Sequence, residues 1–586
     1  MRRFAPHNLA VSLAAAAGCG AAPERAIPPS LVLADVAAPG PPPVVAPRGY
    51  GVVVDRDVAV AMRDGTKLFA DVYRPDAAGR FPVILARTPY DRRQEADLGL
   101  EGAKRGYVVV LEDVRGRYAS QGEWYPFRHE SEDGYDTVEW AAALPASSGQ
   151  VGMVGPSYVG ATQMLAAVAH PPHLSAIAPD VTASDYHEGW TYQGGAFEQG
   201  FAETWTSFLA RDTEDRRRKD TNARAWERKL PLATFPVLEA SPPGAGPRLA
   251  PYFRDWLAHP TDDAYWRALS IEPRYDAIRV PALHISGWYD IFLLGTLRNF
   301  VGMKAHGGQR LVIGPHDHMW SKGEVDFGPA ANRPVDEFRW FDTVLKGAPD
   351  AGEKPVQLFV MGKNEWRGED DWPLARAKVT RYSLHAGGGL STASPANEPP
   401  DSFVYDPADP APTVGGGTCC DSEHFPGGAF DQRRVEARKD VRVFRTGPME
   451  HDVEVTGPVS VELFVSSSAR DTDFTAKLVD VWPNGFAQNL TDGIVRMRFR
   501  DSREKAAFLE PGKVYRVSID LAGTSNVFLA GHRMAVEISS SNFPRFDRNL
   551  NTVESPEQGT VWRRATNTVL HDAAHPSALI VSLVPG

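Results

Sequence analysis

Apolar residues fall in two different rhythms along this chain. Over residues 82–86 and 107–111 they form continuous runs, the pattern of strands buried on both faces of a parallel sheet. Residues 52–60 and 68–73 read as an opening antiparallel pair, and a helix at 132–144 precedes a further strand at 151–154. This order predicts an α/β sheet with right-handed crossovers over 49–178. After Ala178 the character becomes tryptophan-rich and helical, with Trp190, Trp205, a charged run at 211–224, Trp226, Trp256 and Trp266. We read 179–274 as a helical cap inserted in the α/β domain, its charged run a solvated helix face. The sheet resumes at 280–286 and 310–313 with a helix at 291–304 between them, which completes the domain over 275–350.

Beyond Lys354 the period shifts to two. Val459, Val461, Leu463 and Val465 alternate with other residues, as do Tyr515, Val517, Ile519 and Leu521, and Met534, Val536 and Ile538. Gly/Pro turns separate these runs, so 355–586 is expected to form an all-β sandwich of the jelly-roll type.

Composition sharpens this picture in three places. At 586 residues the chain exceeds what one core supports, in keeping with several domains. Its formal charge of −11, with both signs interspersed, excludes nucleic acid as a partner. Arg2-Arg3, an apolar stretch at 9–17 and Gly18-Cys19 read as an export signal over 1–19, too short to span a bilayer. Ala16-Ala17-Gly18-Cys19 resembles a bacterial lipobox, with Ala16 where leucine is usual. It implies a lipid anchor on Cys19 and a periplasmic or outer-membrane-anchored location, with plain secretion the alternative. The Pro/Ala-rich stretch 20–48 would be a semi-extended tether. Cys419 and Cys420, the only other cysteines, cannot staple distant segments; a vicinal disulfide or two free thiols are both open, and the pair has no role in this reading.

The candidate chemistry centres on Gly155-Pro156-Ser157-Tyr158-Val159-Gly160. An apolar strand leads into a glycine-flanked serine and a small-residue helix leaves it, the form of a nucleophile elbow. The general pattern has its second glycine two residues after the serine, where this chain has Val159, with Gly160 one further on. Ordinary turns also combine these residues. A nucleophilic serine needs a base, and that base an acid, which α/β-hydrolases carry in the order Ser, Asp/Glu, His at strand ends. Asp290 and His318 follow the strands at 280–286 and 310–313 in that order. Asp290 is equally suited to cap the helix after it, and His316 competes with His318 for the base role. His-x-His without further ligands nearby does not make a metal site, and no cofactor is expected. The Tyr158 amide and the Tyr90 phenol, in the loop after 82–86, are candidate oxyanion donors; a half-buried loop tyrosine is the plainer reading of Tyr90.

Together, Thr88-Pro89-Tyr90, the segment 112–118 (EDVRGRY), 155–160, Gly287-Trp288-Tyr289-Asp290 and Gly314-Pro315-x-x-His318 resemble the CocE/NonD serine hydrolase family, which includes cocaine esterases, X-Pro dipeptidyl-peptidases, α-amino acid ester hydrolases and glutaryl acylases. Segments 458–465, 473–480 and 489–493 resemble that family's jelly-roll domain, and Gly-x-Ser-Tyr-x-Gly is its own form of the elbow. The resemblance implies an α/β-hydrolase domain with a helical cap and a C-terminal jelly roll. It implies Ser157 as nucleophile, Asp290 as acid, His318 as base, Tyr90 and the Tyr158 amide as oxyanion hole, and Trp190 in substrate binding. Asp113 and Arg115 match a loop that shapes the floor of the site. The expected activity is cleavage of a small-molecule ester, amide or peptide through an acyl-enzyme. An esterase or acylase comes first, and an X-Pro dipeptidyl-peptidase or amino acid ester hydrolase second, since the lid acids Asp185, Glu188 and Glu198 are not placed by sequence around an ammonium group. A catalytically silent, surface-anchored binding protein is the alternative of another class, and oligomeric state is not legible.

Overall fold

Val83, Ile84, Leu85 and Val108 to Leu111 are fully buried because their strands are sandwiched between helices on both faces. A computed structural model describes residues 49–215, 229–234, 250–333, 335–554 and 557–585. The expected leader with Cys19, the tether, residues 216–224 of the charged run and Trp226 lie outside the described residues.

The first sheet comprises β1 (Val52–Ala61), β2 (Lys67–Pro75), β3 (Phe81–Thr88), β4 (Val108–Asp113), β5 (Ser147–Pro156) and β6 (Leu174–Asp180). The chain then leaves it for a short ribbon, β7 (Tyr192–Gln193) and β8 (Ala196–Phe197), and returns with β9 (Ala282–Tyr289), β10 (Gln309–Asp317), β11 (Val356–Val360) and β12 (Glu365–Glu369). Its order is β1-β2-β4-β3-β5-β6-β9-β10-β11-β12, parallel from β4 through β11. The helices are α1 (Ala96–Lys104), α2 (Glu130–Ala142), α3 (Tyr158–Val168), α4 (Gln199–Asp215), α5 (Pro251–Ala258), α6 (Ala264–Arg267), α7 (Leu293–Met303) and α8 (Glu337–Lys346). The cap consists of β7, β8 and α4 to α6.

The two strands that follow Lys354 join the first sheet. Val356 to Leu358 pair in parallel with Leu311 to Ile313, and β12 then pairs back on β11, so both strands extend the first sheet. β12 is the edge strand, and β11 between β10 and β12 is almost fully buried. From Lys378 onward an all-β domain follows with an 11-stranded sheet. Its longest strand, Val453–Ser467, buries Val459, Val461, Leu463 and Val465 and pairs with Tyr515–Phe528, Ala565–Leu570 and Ala578–Val584.

The two domains meet across the cap. Buried Arg496 binds both Asp473 and Asp547 at 2.8 Å, and the Asp547 carboxylate accepts the Phe197 amide at 2.8 Å. Arg545 donates to Gln193 Oε1 at 3.0 Å and also binds the Asp492 carboxylate. Each buried charge is thereby paired, and the ribbon β7–β8 is fixed against the sandwich.

Candidate active site

Ser157 stands between β5 and α3 with φ 59° and ψ −123°, a strained geometry that a sharp strand-to-helix turn imposes. Its own amide donates to Asp180 O at 2.8 Å. The elbow's two glycines answer to different neighbours. Gly155 has φ 131°, and an ideal Cβ there would stand 2.4 Å from Val159 Cγ1; one on Gly160 would stand 2.8 Å from Thr182 Cβ. The displaced glycine is thus required by the approach of the β6 terminus.

His318 Nδ1 lies 2.7 Å from Asp290 Oδ1, and Ser286 Oγ donates to Asp290 Oδ2 at 2.8 Å. With a carboxylate as partner, Nδ1 carries the proton and Nε2 is left as the acceptor. Ser157, Asp290 and His318 are 6%, 4% and 7% exposed. Among the described residues no hydrogen bond joins Ser157 to His318, and the Tyr90 phenol lies close to the serine hydroxyl. Asp290 does not cap α7 with its side chain, for that helix begins at Leu293 after Phe292. His316 is set apart from the base role: it stacks on Trp320 with centroids 3.9 Å apart, and burial pushes its imidazole down to about 4.

The Tyr90 hydroxyl receives the Trp205 indole N–H at 2.9 Å and lies in hydrogen-bonding reach of Ser157 and of the Tyr158 amide. Burial dominates and pushes the phenol up to about 12. Arg117 secures this loop, donating to Pro89 O at 2.9 Å and to Leu209 O of α4 at 3.0 Å. Below it, buried Arg87 binds Glu112 and Glu130 at 2.7 Å each, and Glu130 accepts the Tyr158 hydroxyl at 2.9 Å. Asp113 accepts the Arg92 amide at 2.8 Å, and Arg115 forks onto Asp133 at 2.6 and 2.9 Å. These charges hold the floor and do not reach Ser157's hydroxyl.

Trp190 is fully buried and stacks on Phe292 at 4.3 Å, while Phe292 meets the His318 ring edge-on at 5.1 Å. Phe201 and Trp205 approach Trp190 at 5.5 and 5.8 Å, and Phe208 lies 5.8 Å from Tyr90. The surroundings are aromatic, and the lid acids are engaged elsewhere. Asp185 accepts the His187 and Glu188 amides and the Ser270 hydroxyl. Glu188 accepts the Gly194 amide and stands 3.7 Å from Arg503; Glu198 stands 3.7 Å from Arg545, and burial pushes its carboxyl up to about 8. A surface cavity of about 310 Å³ beside Arg310 and Trp340 shares none of these residues.

Sequence reasoning missed Ser286, Phe292 and Trp205. Trp205 carried the one available signal, its place in a tryptophan-rich cap; nothing marked Ser286, whose role depends on the strand bringing its side chain under Asp290.

Residues 64–320 match the family described as X-Pro dipeptidyl-peptidase (S15 family), and 350–580 match its C-terminal non-catalytic domain. A cocaine esterase from Rhodococcus sp. (strain MB1 Bresler) is 40% identical over 575 residues, covering 91% of this chain and 98% of the relative. This chain belongs to the CocE/NonD serine hydrolase family. Among solved structures, an aminopeptidase from a marine sediment Thaumarchaeota archaeon superposes with TM-score 0.75 at 26% identity, covering 93% of this chain and 98% of the other. An α-amino acid ester hydrolase superposes with TM-score 0.74 at 25% identity, covering 92% and 98%. A CocE/NonD family hydrolase from Staphylococcus aureus shares the fold at 20% identity and TM-score 0.68, covering 91% and 94%. The CocE/NonD assignment accounts for the α/β-hydrolase domain, the helical cap and the all-β domain in one chain, and it makes this protein a serine hydrolase.

Proposed function

We propose that this hydrolase cleaves carboxylic esters with apolar, aromatic acyl groups through an acyl-enzyme on Ser157. The observation that carries this reading is the convergence of a strained serine, a histidine held by a carboxylate and a buried phenol inside an aromatic wall. His318 Nε2 takes the Ser157 proton as Oγ attacks the carbonyl carbon. The tetrahedral oxyanion is held by the Tyr90 hydroxyl and the Tyr158 amide at the N-terminus of α3, where the helix dipole favours negative charge. His318 then protonates the leaving alcohol, and a water deprotonated by the same nitrogen releases the acid. Asp290 keeps the imidazole in the required tautomer and stabilises the imidazolium. Trp190, behind Phe292, is the back of the acyl pocket.

A dipeptidyl-peptidase is the second reading, favoured by the description of the matching family. A free amino terminus needs a charged, unengaged carboxylate near Ser157; Asp185 and Glu188 accept hydrogen bonds elsewhere and burial pushes the Glu198 carboxyl up to about 8, which supports the ester. The leader adds to the proposal an exported enzyme with a lipid on Cys19; radiolabelled fatty acid should enter the protein and fail to enter Cys19→Ala.

A panel of p-nitrophenyl acyl esters beside Gly-Pro and Ala-Pro anilides tests the substrate class. Benzoyl and other apolar esters should turn over well and the anilides poorly; comparable efficiency on the anilides would reverse the order. A fluorophosphonate should label the wild type and leave Ser157→Ala unlabelled.

A further inference from the structure

Cys419 and Cys420 are joined by a disulfide that the chemistry above does not use. They lie on a loop whose ends are tied by reciprocal backbone bonds, Gly416 N–H to Gly428 O at 2.8 Å and Gly428 N–H to Gly416 O at 3.0 Å. The loop touches the segments of both His318 and Asp290. An ideal Cβ on Gly417 would stand 3.3 Å from Asp290 O, and one on Gly427 would stand 2.6 Å from Oδ2 of Asp317, the neighbour of His318. Between these points Thr418 Oγ1 donates to Phe425 O at 2.9 Å, and the Phe425 ring lies 2.8 Å from a Cβ position on Gly200, next to Phe201. Cys419 is 3% exposed and belongs to the large apolar core that runs through the first domain and the cap, and the half-buried Cys420 packs against that core. The loop therefore packs against the segments that carry Asp290, His318 and Phe201.

A disulfide between neighbours closes a small ring through the intervening peptide, so the backbone of both residues is restricted. Cys420 has φ 77°, a conformation that residues with a Cβ seldom adopt unaided. Once the ring opens, ordinary backbone angles become accessible, and the contacts at Gly417, Phe425 and Gly427 lose their common anchor.

We propose that the Cys419–Cys420 disulfide holds this loop as the sandwich-side wall of the substrate site, and that its reduction by a dithiol loosens the wall and weakens binding of bulky esters. A reagent thiolate attacks one cysteine sulfur and the S–S bond breaks. The second reagent thiol then displaces that sulfur, leaving two protein thiols and an oxidised cyclic reagent. The inference rests on the proposed reading of Ser157, since the wall matters to turnover only if substrate is acylated there.

The test treats the full-length protein with dithiothreitol and follows alkylation of the peptide bearing both cysteines, hydrogen exchange over 416–428, and kinetics. Both thiols should be blocked before treatment and free after it. KM for p-nitrophenyl benzoate should then rise about three- to tenfold with kcat for p-nitrophenyl acetate unchanged, and exchange over the loop should accelerate. A variant carrying Cys419→Ser and Cys420→Ser should start with the raised KM and ignore the reagent. Thiols already free without reductant overturn the proposal, as does complete reduction that leaves either KM or exchange unmoved. Failure of the Ser157 reading shows separately, as absence of fluorophosphonate labelling, and the exchange measurement then decides the wall by itself.

Discussion

The Trp205 indole donates to the Tyr90 hydroxyl at 2.9 Å, so a residue of the cap engages an oxygen lone pair of the phenol and leaves its proton for the site. Removing one oxyanion donor typically lowers kcat by about 10² to 10³. Tyr90→Phe should therefore lose that much kcat on p-nitrophenyl esters with KM little changed. Trp205→Phe keeps a ring but loses the donor, and should cost about tenfold or less.

Ser286→Ala leaves Asp290 Oδ2 without the hydroxyl it now accepts at 2.8 Å. A hydrogen bond to a buried carboxylate contributes about 1.5–3 kcal/mol, or roughly ten- to a hundredfold if expressed wholly in the transition state. We expect kcat/KM to fall by about tenfold, against about 10⁴-fold for Asp290→Asn, which forces the wrong tautomer. Steady-state kinetics of both variants across pH decides this; an unchanged Ser286→Ala profile removes Ser286 from the positioning of Asp290.

Gly160→Ala should destabilise the protein by about 1–3 kcal/mol through overpacking. The added methyl would meet Thr182 Cβ at 2.8 Å and Asp180 O at 3.1 Å, neither of which is the free end of a flexible chain. Urea unfolding measures the loss, and Thr182→Ser in the same chain should restore part of it.

His316 is buried with its imidazole pushed down to about 4 from 6.5, chiefly by burial. The unfolded chain then binds the extra proton first, so this contribution to stability is whole above pH 6.5 and is lost as pH falls toward 4. The shift corresponds to on the order of 3 kcal/mol. Melting temperature should fall less steeply between pH 6.5 and 4 in His316→Gln than in the wild type, whatever the offset between them at pH 7.5.

Much of this architecture was legible because it depends on local pattern. The runs at 82–86 and 107–111 became β3 and β4 since only a doubly covered strand tolerates uninterrupted apolar residues. The alternation from Val459 to Val465 became a sandwich strand since its inner face alone is buried. The same pattern did not show which sheet β11 and β12 join, because that is set by hydrogen-bond register with β10 and not by their own sequence.

The order Ser157, Asp290, His318 and the motifs around them were likewise readable, because strand-end positions are fixed by short spacings along the chain. Tertiary structure alone turned His316 onto Trp320 and His318 onto Asp290 across the gap between two strands. It alone brought Trp205 to Tyr90, Phe292 to Trp190 and the Cys419–Cys420 loop to the site, and gave Asp185, Glu188 and Glu198 partners away from Ser157. The chain specifies the candidate groups for the chemistry through residue type and local spacing. What surrounds them depends on side chains 28 to 352 positions apart meeting in one fold, and no local pattern encodes that distance.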